Sequence, residues 1–390
     1  MEYKISDVIL ESGSGATPSR KFPEYYGGNI LWLKTKELND GRVYDTEEKI
    51  TDKGFANSSV KLFPINTVTI AMYGATVGKL GILKKEMTTN QACCNLVANP
   101  DKCDYRFLFY YLLNNRKAIV SLANGAAQHN INQQIVRDFP FPVIDLAVQQ
   151  RVAGLISSFD HKIELNNKII ANLEAQAQAI FKSWFVDFEP FQDRAFIESE
   201  LGLIPEGWMV STIGREFDIE YGKNLPTKHL SEKGYPVFGG NGQIGFYKEY
   251  LYEKPRILVS CRGAASGKVG LSKPYSYVTN NSLVFNEKRE EYFYYFKYMF
   301  NGIQFENYVT GSAQPQLTIA NSKDIKILIP KKEIAIMFNI IIGSYFTNQL
   351  TLSEQNRTLA QIRDMLLPKL MSGEIDVNNI KIDSEEIGHV

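Results

Sequence analysis

The chain has 390 residues, 44% hydrophobic and 22% charged, enough apolar side chain for two or three packed domains. Its formal net charge of +0 excludes a uniformly basic nucleic-acid binder but leaves room for a locally basic face. Four cysteines without a CxxC pair and four scattered histidines give no metal site and no disulfide framework. With no apolar leader after Met1 and no run of transmembrane length, the expectation is a cytoplasmic protein without membrane contact.

Residues 1–145 read as a mixed domain of short strands, with turns at Gly27-Gly28, Asn39-Asp40-Gly41 and Asn124-Gly125. Within it, Val68 to Met72 is a buried strand and Tyr105 to Leu113 an aromatic helix. Residues 146–187 form a first long helix, because Val148, Val152, Leu155, Phe159, Leu173 and Ile180 fall in steps that place them on one face. Residues 188–330 form a second mixed domain, entered through a linker at 188–206 that carries Pro190, Gly202 and Pro205. Residues 331–371 form a second long helix, and 372–390 a polar tail.

The two halves repeat. A shift of 186 residues carries Val148, Val152, Leu155, Phe159, Leu173 and Ile180 onto Ile334, Phe338, Ile341, Tyr345, Leu359 and Leu366. In the domains, Gly74 to Lys79 matches Gly263 to Lys268, Thr89-Asn90-Gln91 matches Thr279-Asn280-Asn281, and Tyr105 to Tyr111 matches Tyr292 to Tyr298. Gly125 to Ile131 matches Gly311 to Leu317. The fold class expected is α+β: two mixed α/β domains separated by a pair of long, antiparallel, coiled-coil-like helices, with an internal pseudo-two-fold duplication. Asn166, Asn348 and Gln355 interrupt the apolar rhythm and are expected to fix the alignment of the helix pair.

The repeated Gly-x-x-x-Gly-Lys segments lack the spacing and the hydroxyl residue of a nucleotide loop. They are either tight turns or loops that bring Lys79 and Lys268 to a DNA phosphate. Arg262 has the geometry for a guanine edge, or for a carboxylate. The amides of Asn90, Gln91, Asn280 and Asn281 suit adenine recognition or the holding of turns. Gln128, His129, Asn130, Gln314 and Gln316 sit on glycine-led loops and are candidate recognition residues. The aromatic run Tyr292 to Phe300 has helical spacing and belongs in a core. No HExxH, GxSxG or dinucleotide fingerprint occurs, so the chain reads as a binder and not an enzyme.

Several stretches, in order, resemble the specificity subunit of type I restriction-modification systems. They are Gly13-Ser14-Gly15-Ala16-Thr17-Pro18-Ser19, Gly28-Asn29-Ile30-Leu31-Trp32, the domain entry Ile204-Pro205-Glu206-Gly207-Trp208, and the helix start Gln149-Gln150-Arg151-Val152. Leu367-Pro368-Lys369-Leu370 and Ser372-Gly373-Glu374-Ile375 complete the pattern. Gln149 stands where the family often has glutamate, and the second helix has Ala335 and Ile336 in place of the Glu-Gln start. The resemblance implies two target-recognition domains on double-stranded DNA, each reading half of a split asymmetric site. It also implies spacer helices docked to two modification (methyltransferase) subunits, with restriction subunits added. S-adenosylmethionine, ATP and Mg would belong to those partners, with no cofactor in this chain. A recognition portion of a fused methyltransferase-nuclease, or a structural adaptor that does not bind DNA, stays open at this point.

Overall fold

The computed structural model describes residues 3–123, 130–311 and 315–377. The chain forms two units, Met1–Asn167 with Ser353–Val390, and Lys168–Leu352. Each unit therefore takes half of each long helix.

In the first unit, a five-stranded sheet runs in the order Ile9–Ser14, Cys93–Ala98, Val68–Ala71, Leu80–Leu83 and Gly41–Val43. Every residue of Val68–Ala71 and Leu80–Leu83 is buried, so these strands are covered on both faces and are apolar but for Thr69, whose hydroxyl donates to Asn95 Oδ1 at 2.7 Å. A second sheet sets Tyr26–Leu33 parallel to Met87–Thr89. The helix Tyr105–Asn114 starts where the Asp104 carboxylate accepts from the Arg106 and Phe107 amides, at 2.8 and 3.3 Å. It buries Phe107, Leu108, Phe109, Tyr110 and Leu112.

The second unit repeats this plan. Phe217–Tyr221, Ser282–Glu287, Ile257–Ser260 and Val269–Leu271 form its larger sheet, and Tyr235–Gly239 runs parallel to Tyr277–Val278 in the smaller one. Its ten-residue helix Phe293–Gly302 buries Tyr295, Phe296, Tyr298 and Phe300, so the aromatic run is core as expected. The linker holds a hairpin, Phe196–Ser199 with Gly202–Pro205. Trp208 of the entry motif is 3% exposed and packs on Phe185, Phe188 and Phe191 with ring centroids 5.4–5.7 Å apart.

The sheet registers set the equivalence between the units. Cys93 faces Ala71 as Ser282 faces Ser260, and Ile70 faces Leu80 as Val259 faces Val269. This is a shift of 189, so Asn90 corresponds to Thr279 and Gln91 to Asn280, one residue from the match read in the sequence. The ten-residue helices align Tyr105 with Phe293, which pairs Tyr110, not Tyr111, with Tyr298. Repeated short polar or aromatic runs do not fix register; strand pairing does.

The long helices are Leu146–Phe185 and Lys332–Met371. Within each unit they run antiparallel: Asp160 meets Arg363 and Asn166 meets Asn356 in the first, while Phe181 packs on Phe338 and Gln349 reaches Ile170 in the second. The stripe does not form one continuous seam. Val148, Val152 and Leu155 join the first unit's core with Leu366, Leu367 and Leu370. Ile334, Phe338, Ile341 and Tyr345 join the second unit's core with Ala177, Ile180, Phe181 and Trp184. Phe159, Leu173 and Leu359 are half-buried and, among the described residues, lie outside both clusters. Asn166 is fully buried as expected, but Asn348 and Gln355 are exposed; Asn356 is the polar partner, donating on to Asn167 at 2.9 Å. One position along a helix turns a side chain by about 100°, enough to move it from core to solvent. Gln149 is 1% exposed, accepts from the Asp104 amide and donates to the Lys102 and Ile144 carbonyls. A neutral amide can both accept and donate there; a glutamate could only accept. The expected polar tail starts on the first core, where Ile375 and Val377 pack.

Candidate DNA interface

In both units one end of the larger sheet gathers three loops through the same backbone bonds. In the first, Gly78 N donates to Ala71 O, Met72 N to Ala92 O, and Ile131 N to Met72 O, at 2.8, 2.8 and 2.9 Å. In the second, Gly267 N donates to Ser260 O, Cys261 N to Asn281 O, and Leu317 N to Cys261 O, at 2.9, 2.9 and 3.1 Å. The glycine-lysine loop, the asparagine turn and the loop before the last strand thus meet at one edge. Gly74 and Gly78 (φ +83° and +79°), with Gly263 and Gly267 (φ +72° and +95°), supply the left-handed backbone the loop needs. A fourth segment enters at Gly15 and Gly222. A Cβ there would lie 1.9 Å from the Thr89 carbonyl oxygen or 2.3 Å from that of Thr279, which explains the glycine in the opening motif.

The same frame carries different side chains. In the second unit Arg262 is exposed, and among the described residues it has no ion pair or side-chain hydrogen bond. Its backbone bridges to Gln316, which is half-buried. Lys268 is exposed and donates to the neutral Asn241 Oδ1 at 2.5 Å, so its charge is not cancelled. Asn281 is exposed and Asn280 half-buried. The stretch Glu220 to Tyr275 holds nine lysines and arginines against four glutamates, a local basic excess within a chain that is neutral as a whole.

The first unit's edge is closer to neutral. Lys79 Nζ lies 2.7 Å from Asp40 Oδ2, and Arg116 binds the other oxygen of Asp40. Gln91 is exposed and accepts from Thr17 Oγ1 at 2.5 Å. Asn90 accepts from the Ala92 amide at 3.2 Å and the Cys93 thiol at 3.3 Å, holding its turn. Asn130 is exposed. Gln128, His129 and Gln314 lie outside the described residues.

The 189-residue shift sets Tyr73 opposite Arg262. Tyr73 is 36% exposed at the head of the first glycine loop, and partial burial pushes its hydroxyl pKa up. It was missed in the sequence, although the match of Gly74 with Gly263 places it one residue ahead. Asn241, the partner of Lys268, comes from a distant turn and had no local signal. Nearby, Arg20 stacks over Tyr26 at 4.1 Å and binds Glu48 through both nitrogens at 2.7 and 2.9 Å. Arg20 and Lys34 hold the Glu48 carboxyl down at about 2.

Among the described residues, this edge holds no group arranged for covalent chemistry. All four cysteines are buried, and burial pushes each thiol up, the opposite of a reactive thiolate. Among the described residues no group of His, Cys, Asp and Glu could hold a metal ion, and no helix is long and apolar enough to cross a membrane.

Residues 1–175 and 205–360 match the family described as the type I restriction modification DNA specificity domain. The chain is 30% identical to the type I restriction enzyme MjaIX specificity subunit of Methanocaldococcus jannaschii, over 97% of this chain and 94% of that one. It is 24% identical to the EcoprrI specificity subunit of Escherichia coli, covering 92% and 90%. The crystal structure of a type I restriction-modification S subunit from M. genitalium superposes with a TM-score of 0.61 at 19% identity, over 95% of both chains, and shows the same fold.

Proposed function

The chain belongs to the type I restriction-modification DNA specificity family, and from that premise we propose that its two sheet edges read the two halves of a bipartite, asymmetric DNA site. It is a non-catalytic specificity subunit. One observation carries the two-reader proposal: an identical hydrogen-bonded frame presents Tyr73, Gln91 and an ion-paired Lys79 in one unit, and Arg262, Asn280 and an uncancelled Lys268 in the other. One scaffold with two sets of side chains suits two different half-sites.

The chemistry divides by residue type. Lys268 serves as a phosphate contact, which positions the body without reading sequence. Arg262 has the donors for the O6 and N7 of guanine, and the exposed amides of Gln91 and Asn281 can donate and accept together, as adenine demands. The long helices hold the two readers at a set spacing. Met337, Ile340 and Met365 are 53%, 69% and 63% exposed on the second helix, and Leu165 and Ile169 are 40% and 46% exposed on the first. Apolar side chains in water on these helices suit docking of two methyltransferase subunits. Those subunits would bring S-adenosylmethionine and methylate adenine, with restriction subunits supplying ATP-driven cleavage.

The test is a map of methylated adenines in cells holding the methyltransferase genes, with and without this chain. The expected result is one bipartite motif that disappears with the chain. Methylation at the same sites without it would refute the proposal.

A further inference from the structure

Resting on the reading above, we propose that two tyrosine–carboxylate–cation clusters, built on matching tyrosines but on unrelated helix positions, lock each globular body onto the long helices and thereby set how strictly the spacer length is enforced. In the first unit, Tyr110 donates to Asp160 Oδ2 at 2.6 Å, and Arg363 donates to Asp160 Oδ1 at 2.5 Å. Tyr110 belongs to the body, Asp160 to the first long helix and Arg363 to the second, so one carboxylate ties three elements. One helical turn on, Glu164 takes Arg42 of the body's edge strand at 2.9 Å, with side-chain exposures of 13% for Arg42 and 23% for Glu164.

The second unit has its own version. Tyr298, at the same place in its ten-residue helix as Tyr110, donates to Glu174 Oε2 at 2.9 Å, and Lys297 donates to Glu174 Oε1 at 2.9 Å. Glu174 is again on the first long helix. Burial raises its carboxyl pKa, but Lys297, Gln178 and Tyr298 outweigh this and hold it below the usual value. Tyr110 and Tyr298 are 2% and 5% exposed.

These bonds do something apolar packing does not. Apolar burial is non-directional, whereas charge-assisted hydrogen bonds are short and directional, and stranding one partner of a buried pair is costly. The seam of the first body packs Val152, Ala153 and Ile156 into the apolar core, but it is not closed by apolar groups beside Asp160. A cavity of about 390 Å³ lies against it, lined by Asn39, Tyr44, Tyr105 and Arg106, and the polar bonds span it. Adding one base pair to a spacer displaces a half-site by about 3.4 Å and rotates it by about 34°. A body fixed to its helix cannot follow that movement; a body released from the carboxylate can rock toward it. Asp160, Glu174, Tyr110 and Tyr298 are therefore positioning residues.

The experiment uses the chain assembled with its methyltransferase subunits, and plasmids carrying the mapped site with its native spacer or one base pair more or fewer. Tyr110→Phe and Tyr298→Phe remove one oxygen and keep the ring in the core. Each is expected to lower the native-to-altered methylation ratio about tenfold, the worth of one hydrogen bond to a charged group, with the native spacer still methylated. Asp160→Asn is expected to lose the same ratio, and Asp160→Glu to recover part of it. A ratio unchanged in all variants, in complexes shown to be folded by thermal melting, would overturn the locking role. A wild-type complex without any sequence-specific methylation would instead overturn the reading on which it rests.

Discussion

Phe338 on the second long helix is fully buried, and Met337 beside it is 53% exposed. Phe338 meets the rings of Phe185 at 5.0 Å, Phe181 at 6.0 Å, and Trp184 and Tyr298 at 6.1 Å. The Phe185 and Tyr298 contacts are edge-on, at 88° and 90°, the arrangement aromatic quadrupoles favour. Phe338→Ala removes the ring from a wall of aromatics too large to collapse into the space, so a cost of about 3–5 kcal/mol is expected. For a unit of this size, each kcal/mol moves the melting temperature about 2–4 °C, giving a shift of about 6–20 °C. Met337→Ala, mostly in water, is expected within about 0.5 kcal/mol of the parent. Scanning calorimetry of both variants decides the matter. Similar shifts for the two, or a shift of less than about 2 °C for Phe338→Ala, would refute the assignment of Phe338 to the core of the second unit.

Three further outcomes are expected. Changing Asn166 and Asn356 together to leucine should raise the melting temperature, since the fully buried Asn166 amide costs stability, and should broaden the accepted spacer lengths; no change in either would show that the pair does not set alignment. Glu48→Gln should lose about 0.5–1 kcal/mol at pH 7, a modest value because the side chain is one-third exposed. The Glu48 pKa is depressed to about 2, so its contribution is present above the ordinary value of 4.5 and fades as the pH falls toward 2; a difference between variant and parent that grows on acidification would contradict this. In gel shifts with the assembled complex, Lys268→Ala should flatten the salt dependence by about one unit at every sequence, while Arg262→Ala should cost about 1–3 kcal/mol and relax one base position. The reverse pattern would exchange their roles.

The helices and the duplication were legible because their signals are periodic and long. The stripe from Val148 to Ile180 and its copy from Ile334 to Leu366 each span many turns, and chance does not sustain such a rhythm. What failed was single-residue placement. Asn348 and Gln355 break the stripe just as Asn166 does, yet they lie in solvent, because burial is decided by rotation about the helix and by which body packs on it. The match of Asn90-Gln91 slipped by one for a similar reason: short amide runs match at several registers, and only the pairing of Cys93 with Ala71 and of Ser282 with Ser260 chooses. Tyr73 and Asn241 were not seen because their significance lies in what the fold brings beside them. The carboxylates Asp160 and Glu174 are equally silent in the sequence, where each is one more charge on a polar helix face.

The most direct test of the two-reader account exchanges residues 1–145 for the corresponding domain of another family member and maps methylated adenines genome-wide. The account predicts that one half of the bipartite motif changes, while the other half and the spacer length stay as they were. A motif altered in both halves, or in neither, would contradict it.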